Sequence, residues 1–267
     1  MSALRAFPTL LRVGVAETVA YRAEFLVWIL TTTLPLVMLA LWTTVANDGT
    51  SHDFRGYTSD RFVAYYLANL IVRNLTGSWV AWQISEEIRT GTMSMRLLRP
   101  LHPFVAFAAS HIAAIPFRGV VALPIAAALL LSSGASSLTT NPLQLALLIP
   151  SVALAWIITF TILCAIGSLA FWITKSMALF TLYFGLYNLL SGYLLPIELM
   201  PSWITKMAEY SPFPAMLASP VRLMTEQLDT HEALGIVAGQ MGWAVAMIAL
   251  ALWVWSAGIR RFEAVGA

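Results

Sequence analysis

The side chains that could act as acids, bases, nucleophiles or metal ligands are sparse in this sequence and do not converge. His52, His102, His111 and His231 are scattered, and none pairs in sequence with a Ser or Asp in a catalytic arrangement. His111 lies in an apolar run, where hydrogen bonding between helices is its ordinary use and general-base catalysis the rarer one. Cys164 is the single cysteine, which rules out a disulfide framework and a cysteine metal site. No HExxH pair occurs, and no Gly-rich loop ends in Gly-Lys-Ser/Thr, so a nucleotide has no usual phosphate cradle here. Asp48, Asp53, Asp60, Glu198, Glu209, Glu226, Asp229 and Glu232 all avoid the long apolar runs, which argues against proton coupling through buried carboxylates. Two polar features remain: Asn69, Arg73 and Thr76 in ANLIVRNLTG, and the stretch SEEIRTGTMSMRLLRPLHP at residues 85–103, with five charges and two prolines.

The elements that hold these features belong to a membrane. The 267 residues are 59% hydrophobic and 10% charged, so the apolar surface is meant for lipid rather than for one soluble core. A net charge of +2 with no basic cluster excludes nucleic acid as a partner. Crossing the hydrocarbon takes about 20 mainly apolar residues. The segments 25–46, 61–83, 104–132, 143–170, 176–197 and 234–258 reach that length, which predicts an all-α, six-span fold in one domain covering 1–267. Arg5, Arg12, Arg22, Arg89, Arg96, Arg99, Lys175, Arg260 and Arg261 collect on one side of this plan, against Arg55, Arg61, Lys206 and Arg222 on the other. The excess puts both termini and the 85–103 segment in the cytoplasm. Residues 1–24 read as an amphipathic helix in the cytoplasmic interface, because Leu4, Phe7, Leu11, Val15 and Val19 recur at helical spacing. Residues 198–233, proline-broken yet apolar, read as short outer helices that dip into the leaflet or cap the bundle.

Arg73 falls in the middle of the second span, where an isolated arginine costs about 2.5 to 3.5 kcal/mol, so it must face protein, water or a ligand. Asn69 and Thr76 share its face at spacings of four and three. Two roles stay open: a polar strip on a substrate path between subunits, or a structural tie to carbonyls of a broken helix or to another chain. Arg118, two residues after Pro116, lies nearer the cytoplasmic half, where it can snorkel, and reads as structural. Trp79, Trp82, Trp156, Trp172, Trp253 and Trp255 suit an interfacial belt, and Tyr65, Tyr66, Phe184 and Tyr187 suit either packing or an apolar path.

In the 85–103 segment, Gly91 can end one helix in the left-handed conformation and Thr92 can cap the next. A short helix from Met93 to Leu98 then carries Leu97, Leu98 and Met93 or Met95 beside Arg96 and Arg99, until Pro100 and Pro103 stop it. Such a stiff amphipathic turn suits force transmission to a cytoplasmic partner; a basic loop that only sets topology is the plainer alternative.

The run Ile88-Arg89-Thr90-Gly91-Thr92-Met93, followed by Leu97-Leu98-Arg99-Pro100 and Pro103, resembles the coupling segment of ATP-binding-cassette exporter permeases of the type-2 (type V) class. LLPIELMPSWI, with Pro196, Glu198 and Pro201, resembles the re-entrant signature of that family between spans five and six. The resemblance implies that Glu87, Arg89, Gly91, Met93, Leu97, Leu98, Arg99 and Pro100 meet a separate ATPase dimer. It also implies that ATP and Mg bind that partner, with no cofactor on this chain. It implies further a second permease chain, as homodimer or heterodimer, in a bacterial cytoplasmic membrane, exporting a lipophilic or amphipathic substrate. A membrane scaffold that recruits a cytoplasmic partner and an intramembrane enzyme are the alternatives from other classes.

Overall fold

The computed structural model describes residues 34–47, 56–173 and 177–262, together with Thr9, Leu11 and Arg12. Apart from those three residues, the expected interfacial helix at 1–24 lies outside the described residues, as does the start of the first expected span. Among the described residues all regular structure is helical. In chain order the helices are α1 (Leu34–Asn47), α2 (Ser59–Thr76), α3 (Val80–Arg89), α4 (Met93–Leu97), α5 (Pro103–Ala113) and α6 (Ile115–Leu131). They continue as α7 (Pro142–Ser168), α8 (Met177–Leu190), α9 (Ser202–Glu209), α10 (Phe213–Met216), α11 (Ala218–Thr225) and α12 (Thr230–Ile259).

Among the described residues, three stretches are long and apolar enough to cross a membrane: Pro103–Leu131, Pro142–Phe171 and Thr230–Ile259, with mean hydropathy 2.0, 2.3 and 1.8. Leu34–Asn47 and Ala178–Leu190 are shorter apolar helices. Two of the expected spans are interrupted. Residues 61–83 are not one helix, because α2 stops at Thr76 and α3 begins at Val80. Residues 104–132 bend at Ala114, since Pro116 has no N–H with which to continue the ladder from α5 into α6.

The packing converges on α2. α2 touches α1, α6, α7 and α11, while α3 packs on α7, and α7 runs along α12. A helix so surrounded carries apolar residues on nearly every side: Phe62, Ala64, Tyr66, Ala68 and Val72 are completely buried. Ile84 and Met93 extend the same core, and Ile158, Leu163, Met216 and Leu217 meet them from α7 and the 210s.

Residues 198–233 form the short helices α9, α10 and α11. Prolines break the ladders there, so backbone groups find partners elsewhere. The Thr139 N–H donates to the Met224 carbonyl at 2.8 Å. Gln144 Nε2 donates to the Glu226 carbonyl at 2.9 Å, and Gln240 Nε2 to the Ala215 carbonyl at 2.8 Å. α12 then starts with a reciprocal cap, in which Asp229 accepts the Glu232 N–H and Glu232 accepts the Asp229 N–H.

Candidate functional site

The 85–103 segment is a braced hairpin of helices. α3 delivers Glu86, Glu87 and Arg89, and the chain reverses at Gly91, whose φ of 76° lies in the left-handed region that favours glycine. Thr92 does not cap α4 through its side chain, contrary to expectation. Its hydroxyl instead shares a 2.9 Å hydrogen bond with that of Thr90, and the Ser94 hydroxyl ties back to the Gly91 carbonyl at 2.7 Å. Glu87 and Arg96 then clasp across the turn, with Nε and Nη2 donating to the two carboxylate oxygens at 2.5 and 2.6 Å. The guanidinium also covers the Phe107 ring at 4.2 Å, so α3, α4 and α5 meet in one side chain. Arg89 pairs locally, with Glu86 at 2.7 Å. At the far side of the segment His102 Nδ1 accepts the Phe104 N–H at 3.2 Å and so caps α5, with Pro103 in the first turn. Partial burial lowers the pKa of His102 below its usual 6.5, which favours the neutral, accepting imidazole.

This bracing fixes which residues point away. Met93 is completely buried and Leu97 half-buried, whereas Met95 is 66% and Leu98 80% exposed. Arg89, Arg99 and Pro100 are exposed beside them. Of the residues singled out in sequence, Leu98, Arg99 and Pro100 form the exposed tip and Arg89 is exposed at the end of α3, while Glu87, Gly91, Met93 and Leu97 shape and anchor the hairpin. Of the two methionines that the sequence left as alternatives, Met95 is the exposed one, and Arg96 was read as a charge beside Leu97 and Leu98, not as a brace to Glu87. A Glu and an Arg flanking Thr-Gly-Thr was the signal for the brace.

Asn69, Arg73 and Thr76 do not form one continuous strip. The Thr76 hydroxyl donates within its own helix to the Val72 carbonyl at 2.9 Å. Arg73, near the end of α2, sits in an aromatic box: its guanidinium carbon lies 4.3 Å from the Tyr193 ring centre and 5.7 Å from those of Phe184 and Tyr187. Asn69 is buried one turn away, and its Nδ2 donates to the Gly192 carbonyl at 3.3 Å. Tyr65 donates to that same carbonyl at 2.5 Å, and Tyr66 to the Leu194 carbonyl at 2.7 Å. Gly192, at φ 85°, is held where an added Cβ would crowd the Tyr65 hydroxyl at 2.5 Å. This polar latch joins α2 to the turn before Pro196, and sequence reading missed it. The Gly in SGY at the end of an apolar run was the available signal.

The helix break between α2 and α3 is also occupied by an arginine, though not the one singled out. Arg118 does not snorkel. It is completely buried, its Nη1 donates to the Gly77 carbonyl, and its guanidinium carbon lies 4.8 Å from the Trp79 ring centre. The interruption thus exposes a carbonyl and α6 supplies the cation that meets it. His111 beside it contacts rings rather than polar groups: it meets Trp79 edge-on at 4.8 Å and Phe160 at 5.8 Å, and neither ring nitrogen has a hydrogen-bond partner among the described residues. The expected Trp belt is likewise divided. Trp82 and Trp253 are exposed, but Trp255 is buried against Phe104 and Phe171, and Trp156 stacks on Phe160.

At the proline-rich end, Glu198 is exposed and Pro196 buried, with Pro201 opening α9. Glu198 Oε2 accepts from the Tyr57 hydroxyl at 3.3 Å, and Glu198 Oε1 lies 3.8 Å from Arg222 Nε. Arg222 also donates to Glu226 at 3.0 Å. Burial raises the Glu226 carboxyl above the usual carboxylate range, against the opposing pull of Arg222. The Arg61 guanidinium lies over the Tyr57 ring at 4.3 Å. The chain therefore ties α2 to the 198–226 stretch at one end and to the braced hairpin, through α3, at the other.

A family model described as ABC-2 family transporter protein matches residues 23–266. No curated protein matches the chain.

Proposed function

The chain belongs to the ABC-2 transporter family, and from that premise we propose that it is the six-span permease subunit of an ATP-driven exporter of lipophilic or amphipathic molecules. It is a multi-pass membrane protein, and in this reading both termini and the 85–103 hairpin face the cytoplasm of a bacterial cell. The observation that carries the reading is the tip itself. Met95 and Leu98 are the most exposed apolar side chains of a segment that two charge-assisted hydrogen bonds hold rigid. A topology-setting loop has no need of that bracing. An ATPase subunit, carrying ATP and Mg, would receive the tip, and a second permease chain, identical or not, would complete the path.

The same architecture suggests how force would travel. Movement of the hairpin displaces α3, which the Arg118 contact joins to α2 at the helix break. α2 in turn holds the 192–194 turn through Tyr65, Asn69 and Tyr66. Arg73, boxed by Phe184, Tyr187 and Tyr193, lies between the two ends and would reshape a path lined by α2 and α8 as they shift. The test is purification from the native membrane with identification of co-purifying proteins, then reconstitution. An ATPase in the fraction and ATP-dependent movement of an amphipathic dye support the reading. A partner without ATPase activity would instead support a scaffold.

A further inference from the structure

Arg89, Arg96 and Arg222, outside the apolar runs, pair with carboxylates: Glu86 at 2.7 Å, Glu87 at 2.5 Å and Glu226 at 3.0 Å. Arg118 is tied to the Gly77 carbonyl at the helix break. Arg73, in the middle of the second apolar run, has no carboxylate within ion-pair distance among the described residues. Its neighbours are the rings of Tyr193 at 4.3 Å and of Phe184 and Tyr187 at 5.7 Å, with the Tyr187 hydroxyl beside it. Rings and a neutral hydroxyl soften a positive charge without cancelling it, and at this depth an uncancelled charge is costly.

The box around this charge is not sealed. Nε is the guanidinium nitrogen enclosed without a hydrogen-bond partner among the described residues, whereas Arg73 as a whole is half-buried. Phe184, one wall of the box, is 41% exposed, and Leu182 beside it on α8 is 59% exposed, so the wall continues into apolar surface on the flank of the bundle. Asn188 follows Phe184 by four residues on the same face of α8, and its Oδ1 has no hydrogen-bond partner among the described residues. The amide is therefore uncommitted, and turning it about its last bond brings an N–H₂ to that face in place of the oxygen. A cation, an uncommitted amide and a phenol hydroxyl thus meet between apolar walls with no acid among them. Such a set recognises an anionic oxygen group on an apolar body: a cationic head group is repelled, and a neutral one leaves the charge of Arg73 unbalanced.

We propose that the Arg73 box holds the anionic head group of an amphipathic molecule, with the guanidinium fork donating to its oxygens and the apolar body lying along Phe184 and Leu182 of α8. The assignment deepens the exporter reading, on which its role as a substrate site rests, by naming an anionic amphipath as the substrate class. The test needs neither ATP nor a partner. The chain is placed in phosphatidylcholine nanodiscs, and saturable binding of radiolabelled dodecyl sulfate, above that of empty discs, is compared with that of dodecyltrimethylammonium.

Dodecyl sulfate is expected to bind at least about tenfold more tightly than dodecyltrimethylammonium. Arg73→Gln lowers dodecyl sulfate affinity about tenfold or more, and Arg73→Lys, which keeps the charge but not the fork, lowers it about threefold. Phe184→Glu keeps the arginine and sets a carboxylate where the ring stood. That built-in counter-charge also lowers dodecyl sulfate affinity about tenfold or more and removes the preference for sulfate, with an unchanged elution profile. Equal binding of the two probes by the wild-type chain, or undiminished dodecyl sulfate binding in Arg73→Gln, overturns the site. A shift from dimer to monomer in Arg73→Gln with binding intact also overturns it, by assigning the arginine to a second copy of the chain. Phosphatidylglycerol added to the discs separates the two sources of such a head group: displacement of dodecyl sulfate makes a bilayer phospholipid the occupant, and no displacement makes it a single-chain amphipath, with the site standing in both cases. An overturned site beside intact ATP-dependent transport leaves the permease reading standing. Selective binding by a chain that engages no ATPase leaves the site standing without its transport role.

Discussion

Arg96→Met isolates the brace of the 85–103 hairpin. Methionine keeps an unbranched side chain over Phe107 but removes both hydrogen bonds to Glu87, at 2.5 and 2.6 Å. A fully exposed ion pair contributes about 0.2 to 1 kcal/mol, whereas breaking a buried one costs about 3 to 5 kcal/mol. The two side chains are 31% and 22% exposed, so the pair falls between those limits, and bidentate geometry favours the middle of the range. A loss of about 1.5 kcal/mol, roughly a tenfold rise in the fraction of time α4 is open, is the expected size. Hydrogen exchange reads that opening through the amides of Gly91, Ser94, Met95 and Leu98, which donate to Ile88, Gly91, Thr92 and Ser94. They exchange about tenfold faster in the variant, while α12 is unchanged. Glu87→Gln added to Arg96→Met has little further effect, because the pair is already broken. Unchanged exchange across 90–98 in Arg96→Met would refute the claim that this clasp holds the tip.

Gly192→Ala forces a Cβ onto a residue at φ 85° and against the Tyr65 hydroxyl, so it destabilises the fold by about 1 to 2 kcal/mol or more; Gly185→Ala, with open space around it, is neutral or stabilising, and thermal unfolding in detergent compares the two. Arg118→Met removes the donor to the Gly77 carbonyl and the cation over Trp79, with an expected loss of about 1 to 3 kcal/mol that Arg118→Lys restores in part; equal midpoints for wild type and Arg118→Met would contradict this. His102 has a folded-state pKa depressed below 6.5, so its cap on Phe104 contributes fully above that value and is lost as pH falls through the lower, folded-state one. His102→Asn keeps an accepting cap that does not titrate, and the stability difference between it and wild type, followed from about pH 8 to pH 5, turns in favour of the variant on acidification; parallel curves would show that the imidazole does not cap α5.

Much of this was legible because hydropathy and charge report directly on where a chain meets lipid. The apolar runs at Pro142–Phe171 and Thr230–Ile259 are single long helices because nothing in them competes with the ladder strongly enough to break it; Pro150 is accommodated inside α7. The bend at Ala114 and the break at Gly77 were not read, since the first depends on the N–H that Pro116 lacks and the second on Arg118, about 40 residues further along the chain. The hairpin was readable as a turn from Gly91 and Pro100, because local backbone preferences decide it. Which residues of the hairpin point outward depends on Arg96 reaching both Glu87 and Phe107, a tertiary choice. For Arg73 the residue type announced a polar contact, but its partners Phe184, Tyr187 and Tyr193 sit more than a hundred positions away in aromatic-rich segments that gave no pairing signal.

The most direct measurement places a charge on the exposed tip. Leu98→Asp alters a side chain that is 80% exposed and makes little contact with the rest of the chain, so insertion and the hydrogen-exchange pattern of α7 and α12 should be unchanged. With the co-purified ATPase titrated onto nanodiscs holding wild type or variant, the variant is expected to lose at least about tenfold in affinity, as burying an unpaired carboxylate in an apolar cleft requires, and to lose ATP-dependent transport with it. Wild-type affinity and transport in Leu98→Asp would contradict the assignment of the hairpin tip as the site through which an ATPase drives this chain.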